Sequence, residues 1–193
     1  MMERDVRPVP MGDARSRIVR AGIRCVVRNG IAGASMAAIA HEADVSKALL
    51  HYHFEDRGQL LSEMVTLLGR RLITREHGAL QRDEATPPVD ALWQWLELEL
   101  ERGELRALLA LGTVHDNAVR DAIEEVSLAR RASAAATVEQ LFARLGLTSR
   151  VPVTVIADAS VAFVDGLALD QEFGRDSRVS FDVFWLAMLS LGD

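Results

Sequence analysis

Hydrophobic positions recur every three or four residues along most of this chain, in runs broken by glycine, proline or clustered charge, and that spacing predicts helices. A first helix is expected from a cap at Asp13 to Asn29, with Ile18, Gly22, Ile23 and Val26 on one face and Gly30 as the stop. Two short helices capped by Ser35 and Ser46 follow. A longer one runs from Arg57 to about Gln81 along Leu60, Leu61, Met64, Val65, Leu68 and Leu72. Gly69 lies inside that stripe, either to let a neighbour come close or to soften the helix. Thr86, followed by Pro87 at the first helical position, opens a helix carrying Leu92, Trp93, Trp95, Leu96 and Leu100 that ends near Gly103. Glu104 to Leu111 is a short apolar helix stopped by Gly112. Asp116 to Leu145 reads as one long helix or two nearly continuous ones, buried along Val119, Ile123, Val126, Ala129, Ala132 or Ser133, Ala136, Leu141 and Leu145.

The last two segments differ in character. Ser149 to Phe173 is rich in small residues, including Ala157, Ala159, Ser160, Ala162, Gly166 and Ala168, which let helices approach closely in a bundle or a subunit interface. The final helix, about Ser180 to Leu191, is apolar nearly all round. Such a helix at a chain end needs covering on two sides, by its own domain and by a second copy, so Ala159, Ala162, Gly166, Phe184 and Leu191 are the expected dimer contacts.

The densest local signals lie between Ser35 and Leu61. Ser35, Ser46 and Asp56 are each placed to cap a helix. Val45 before the second cap and Leu50 at its fourth helical position form a hydrophobic staple, and Gln59 completes a capping box with Asp56. Ile39, Ala40, Ala43, Val45 and Leu50 supply a small core with alanines where two helices must touch. That is the pattern of a helix-turn-helix, whose second helix enters a DNA major groove.

On the motif S-x-x-x-I-A-x-x-A-x-V-S-K, then L-x-Y-H-F, then the basic Arg57, the chain resembles the TetR family of bacterial transcriptional regulators, over about residues 13 to 68. The resemblance implies DNA contact, mainly to phosphate, by Ser46, Lys47, Tyr52 and His53 on the recognition helix. It implies backbone grips by Ser35 and Arg57 at helix N-termini. Ala48, Leu49 and His51 depart from the family's usual residues: Leu49 can only pack on a thymine methyl or lie off the groove, and His51 is a shorter donor than tyrosine. Asp44 replaces the usual turn glycine, a position that aspartate tolerates. The resemblance also implies a second domain that binds a small, mostly apolar molecule, with Trp93, Trp95, Leu108, Leu111, Phe142, Phe163 and Met188 as candidate wall residues. Asp165, odd in an apolar helix, is expected to pair with a neighbouring helix, to sit at an interface edge, or to touch a ligand.

The expected architecture is therefore all-α, with about nine helices. It comprises a flexible arm (1–12), either a disordered tail or one whose Arg4 and Arg7 reach the DNA backbone, a three-helix DNA-binding unit (13–56), a connecting helix (57–81) and a helical ligand-binding and dimerisation domain (82–193). Composition agrees: in 193 residues almost half are hydrophobic and only 5% aromatic. The net charge of −6 is uneven, since residues 1–60 carry nine Lys or Arg against seven Asp or Glu, so the basic end is the one suited to phosphate. Arg17, Arg20, Arg24 and Arg28 form a stripe that is either solvated surface or a phosphate contact. The acidic remainder would suit a cationic effector. Cys25, the lone cysteine, reads as a core residue and excludes a disulfide framework. His51 and His53, two apart on a helix, face different ways and hold no metal. No nucleophile elbow, phosphate loop or zinc spacing is present, so neither enzyme activity nor a cofactor is expected. No secretory or membrane-spanning segment is recognisable, and a cytoplasmic location is expected. The expected function is a homodimeric, ligand-responsive transcriptional repressor acting on a palindromic double-stranded DNA operator. The rival is a helical small-molecule-binding or scaffolding dimer without DNA function, for which Asp44, Leu49 and His51 would argue.

Overall fold

The computed structural model describes residues 11–81, 85–170 and 177–193, so the expected arm with Arg4 and Arg7 lies outside the described residues except for its last two. Among the described residues the regular elements are all helical: α1 (Met11–Asn29), a 3-10 turn (Ile31–Gly33), α2 (Met36–Glu42), α3 (Lys47–His53), α4 (Arg57–His77), α5 (Pro88–Arg102), α6 (Glu104–Leu111), α7 (Asn117–Arg144), α8 (Val153–Asp170) and α9 (Ser177–Leu189).

Several expected boundaries move. Asp13 does not cap α1, which is already helical at Met11. Pro87, not Thr86, occupies the cap of α5, and helix begins at Pro88. Asp116 caps α7, which is one continuous helix of 28 residues. Its buried line also shifts: Ala129 and Leu145 are exposed, Ser133 rather than Ala132 is buried, and Arg130, Ala134, Thr137 and Val138 face inward as well. α8 starts at Val153 rather than near Ser149, because Pro152 favours extended backbone in the residue before it. The freed segment pairs with the C-terminus, Thr148 and Asp193 exchanging backbone hydrogen bonds of 3.0 Å.

α4 is the axis of the fold. Its first half belongs to the N-terminal unit, where Leu60, Leu61, Met64 and Val65 are fully buried with Ile18, Ile39, Leu50 and Phe54. Each such aliphatic side chain contributes about 1.5–3 kcal/mol on leaving water. Arg15 of α1 binds this unit together: it pairs with Glu63, donates to the His53 carbonyl, and lies 4.5 Å over the Phe54 ring. The second half packs along α7, and the contact is close. A Cβ on Gly69 would lie 2.4 Å from Val126 Cγ1, so this glycine permits approach rather than softening the helix. At the start of α4, a Cβ on Gly58 would meet the Asp116 carboxylate at 2.4 Å, so the cap of α7 abuts the first turn of α4.

A charged network joins α4 to α5 and α6. Glu99, fully buried, receives two 2.6 Å hydrogen bonds from Arg75 and one of 2.7 Å from Arg102, while Glu104 binds Arg71 at 2.8 Å and Arg75 at 2.9 Å. The charge buried at Glu99 is thus paired and hydrogen-bonded, the condition under which a buried carboxylate is tolerated. α9 is anchored by buried Phe181 and Trp185, and Arg178 bridges Asp182 and Asp90, each at 2.8 Å.

Candidate nucleic-acid interface

The turn between α2 and α3 is built by local chemistry. Ser35 Oγ accepts from Ala38 N at 3.2 Å and Ser46 Oγ from Leu49 N at 3.1 Å, so both serines cap as their positions predict. Between them Asp44 adopts φ 52°, the left-handed conformation that glycine would take most easily. Val45 and Leu50 both pack on the core, closing the staple. Asp56 Oδ1 accepts from Gln59 N at 2.8 Å, but the reciprocal bond goes one residue further back, from Glu55 N to Gln59 Oε1 at 3.0 Å.

α3 turns Leu50 inward and leaves Lys47, Ala48, His51 and Tyr52 outward, with Leu49 half-buried. Tyr52 is 67% exposed, so its ring is not core packing; it meets His53 edge-on at 5.3 Å. Lys47 makes no ion pair or hydrogen bond among the described residues. Ser35, Ser46 and Arg57 are exposed beside this face, and each capping hydroxyl keeps its proton free to donate to phosphate. Arg57 also donates to the Ile31 carbonyl at 3.3 Å. His53 is more enclosed: its Nε2 is buried without a partner among the described residues, leaving Nδ1 as the ring nitrogen it can offer.

The arginine stripe of α1 has another use. Arg17 donates to the carbonyls of Ala43 and Asp44 at 2.7 and 3.3 Å, bracing the turn. Arg24 binds Glu42 at 2.7 Å, and Arg28 binds the other oxygen of the same carboxylate. These two hydrogen bonds hold Glu42 below the usual carboxylate range. Three cations that could have met phosphate instead fix α2 on α1.

The second half of the chain holds a cavity of about 50 Å³, lined by Leu72 and Glu76 of α4, Trp95 of α5, Arg130 and Thr137 of α7, Ser160 of α8, Phe181 and Trp185 of α9 and their neighbours. Of the seven wall residues expected from sequence, Trp95 alone lines it. Leu108, Leu111 and Phe142 are buried core, Trp93 packs edge-on against Phe181 at 5.2 Å, Phe163 stacks on Phe184 at 4.2 Å, and Met188 is half-buried elsewhere. The polar wall residues, Glu76, Arg130, Thr137 and Ser160, were missed because large apolar side chains were sought. Asp165 pairs with Arg130 through bonds of 2.6 and 3.2 Å, which accounts for its place in an apolar helix. Glu76 accepts from Ser133 Oγ at 2.9 Å, and burial pushes its carboxyl up from 4.5 despite that bond, Arg130, Thr137 and His77.

On α8 and α9 an apolar line faces outward. Val155, Leu169, Val179, Val183 and Leu186 are 57–71% exposed, and Ala162 and Gly166 are exposed between them. Ala159, Phe184 and Leu191 are half-buried at its margin. Val179, Val183 and Leu186 are spaced by four then three residues, a pattern legible in the sequence.

A capped turn presenting a short helix with outward lysine, imidazole and phenol defines a helix-turn-helix DNA-binding regulator. The family model described as bacterial regulatory proteins, tetR family, matches residues 18–64. The HTH-type transcriptional regulator BetI of Agrobacterium fabrum is 31% identical over 116 residues, a match that spans 50% of this chain and only 56% of that protein. BetI of Brucella anthropi is 28% identical across 84% of both chains. The crystal structure of a TetR transcription regulator from Haloarcula marismortui shares the fold, with a TM-score of 0.74, 19% identity, and 94% of this chain and 100% of that one covered. Residues 18–64 thus carry the DNA-binding region of the tetR family of bacterial regulatory proteins, and the chain as a whole shares the fold of a solved TetR regulator.

Proposed function

We propose that this regulator is a homodimeric repressor that grips a palindromic operator through two α3 helices and is released by a small, mostly apolar molecule bound in the cavity. The observation that carries the reading is α4, one 21-residue helix that starts with Arg57 beside the reading face and ends with Leu72 and Glu76 in the cavity wall. A molecule that alters the cavity acts on the same rigid element that positions the reading head. It shifts the balance between operator-fitting and non-fitting dimers by no more than its difference in affinity for the two. Dimerisation is supported by the outward line on α8 and α9. Positions 155, 159, 162, 166 and 169, and again 179, 183, 186 and 190, follow heptad spacing, the pattern by which helices pair. Two such helices from each copy make a four-helix interface about a two-fold axis, and that symmetry spaces two half-sites.

The test is a gel shift with purified protein and the DNA upstream of its own gene, across a salt series. Retardation of a palindromic fragment that weakens steeply with salt is expected. Absence of salt-sensitive binding to any palindrome there would falsify the reading and leave the non-DNA rival, against which the outward Lys47 and Tyr52 already weigh.

A further inference from the structure

Resting on the ligand-responsive reading above, we infer that the cavity is built for a compact, uncharged molecule that carries one hydrogen-bond acceptor of the carbonyl class, held by the indole N–H of Trp95. The inference comes from following each polar group of the wall to its partner. Ser160 Oγ donates to the Ile156 carbonyl at 2.8 Å. Arg130 is engaged by Asp165, and Glu76 accepts from Ser133. Thr137 is hydrogen-bonded to Glu76. Trp95 is different: the residue is more than nine-tenths buried, it lines the cavity, and its Nε1 finds no acceptor among the described residues. Tryptophan N–H groups usually find a partner when buried, because an unmade bond there costs about 1–3 kcal/mol. The nitrogen is itself closed off by its neighbours, so a ligand oxygen satisfies it once the wall beside Trp95 gives slightly.

The rest of the wall sets size and charge. Leu72, Leu92, Val138, Val161 and Val164 offer no polar contact, while the Phe181 and Trp185 rings, 6.2 Å apart, close one side. A volume of about 50 Å³ is a third of that which admits benzene in an engineered apolar cavity, so the fitting body is a few carbons unless the walls part. A cation would want an unpaired carboxylate. Asp165 is neutralised by Arg130, and burial disfavours the charged form of Glu76, so the counter-charge is weak despite the acidity of the domain.

The experiment uses three compact probes on the intact protein: acetone, its acceptor-free isostere isobutene, and tetramethylammonium. Titrations are read by heteronuclear NMR of the three tryptophan indole N–H signals, with the Trp95 signal assigned by elimination from Trp93→Phe and Trp185→Phe. Acetone is expected to move the Trp95 signal downfield and isobutene not to. Trp95→Phe is expected to lower the ratio of acetone to isobutene affinity by about three- to tenfold, the span of one neutral hydrogen bond. Should that variant not fold, the wild-type indole shift decides alone. An unmoved Trp95 signal with saturable binding of both neutral probes, or tetramethylammonium binding more tightly than acetone, overturns the acceptor rule and leaves the cavity as a ligand site. No saturable binding of any probe, in protein that still retards its operator, overturns the cavity as the effector site and the acceptor rule with it.

Discussion

Replacing Gly69 by alanine sets two effects of known size against each other. Alanine in a helix interior is favoured over glycine by about 1 kcal/mol, so with free space the change would stabilise. The space is absent: the new methyl would stand 2.4 and 2.6 Å from the two γ carbons of Val126 and 3.1 Å from its Cβ. Valine in a helix is held to one side-chain rotamer, so it cannot swing clear, and α4 and α7 must part by about 1 Å to reach ordinary contact. Overpacking typically costs about 1–3 kcal/mol, and two contacts this short belong to the upper half of that range, so after the gain in propensity a net destabilisation of about 1–2 kcal/mol is expected. Over a chain of this length that is a fall of about 2–8 °C in Tm. The measurement is urea and thermal unfolding followed by helical circular dichroism at one fixed protein concentration. Adding Val126→Ala should make room, so the Gly69→Ala/Val126→Ala protein should be at least as stable as Val126→Ala alone. Should Gly69→Ala instead raise the midpoint, the close approach of α4 and α7 is wrong.

Three further outcomes are expected. Lys47→Ala should weaken operator and random DNA to a similar degree and reduce the log–log salt slope by about 2 for a dimer, one contact per copy; an unaltered slope removes Lys47 from the phosphate contacts. Leu186→Glu, which puts a carboxylate in the middle of the outward line, should sediment as a monomer without loss of helicity, and a persisting dimer would place the interface elsewhere. Glu76→Gln should flatten part of the pH dependence of stability. Burial raises the Glu76 value in the native state, so its contribution is full below pH 4.5 and is lost as pH rises through the elevated native value. The variant keeps an acceptor for Ser133 but does not titrate, so its advantage over the wild type should grow across that window; parallel stability curves would show that Glu76 is not desolvated.

The reading unit was legible because its determinants are local. Caps at Ser35, Ser46 and Asp56, the staple of Val45 on Leu50 and the aspartate-tolerant turn each depend on residues within five positions, and all appear where the spacing puts them. The cavity was not legible, since it depends on which faces of five helices converge. The apolar pattern chose Phe142, Leu108 and Leu111 by size, and those fill the core. Arg130 and Thr137 line the cavity because partners far along the chain, Asp165 and Glu76, make their burial tolerable, while Ser160 bonds to the Ile156 carbonyl one turn back. The arginines of α1 illustrate the same limit: nothing in their periodicity says that Glu42 and the Ala43 carbonyl will claim three of them. On α8 and α9 the sequence marks Phe184 and Leu191 by bulk, whereas the structure leaves Val183 and Leu186, which heptad phase marks, more exposed.

The division of α4 between two cores carries a consequence for protein engineering. A reading head cut out at residue 56 would leave behind Leu60, Leu61 and Met64, which fill the space between α1, α2 and α3. A transplant that took all of α4 would carry Gly69, Arg75 and Glu76 into a foreign domain lacking Val126, Glu99 and Ser133. The workable splice for swapping operator specificity between such regulators therefore lies within the helix, between Val65 and Gly69. The incoming head must also carry a residue as small as Gly58 to meet a recipient that has the Asp116 cap.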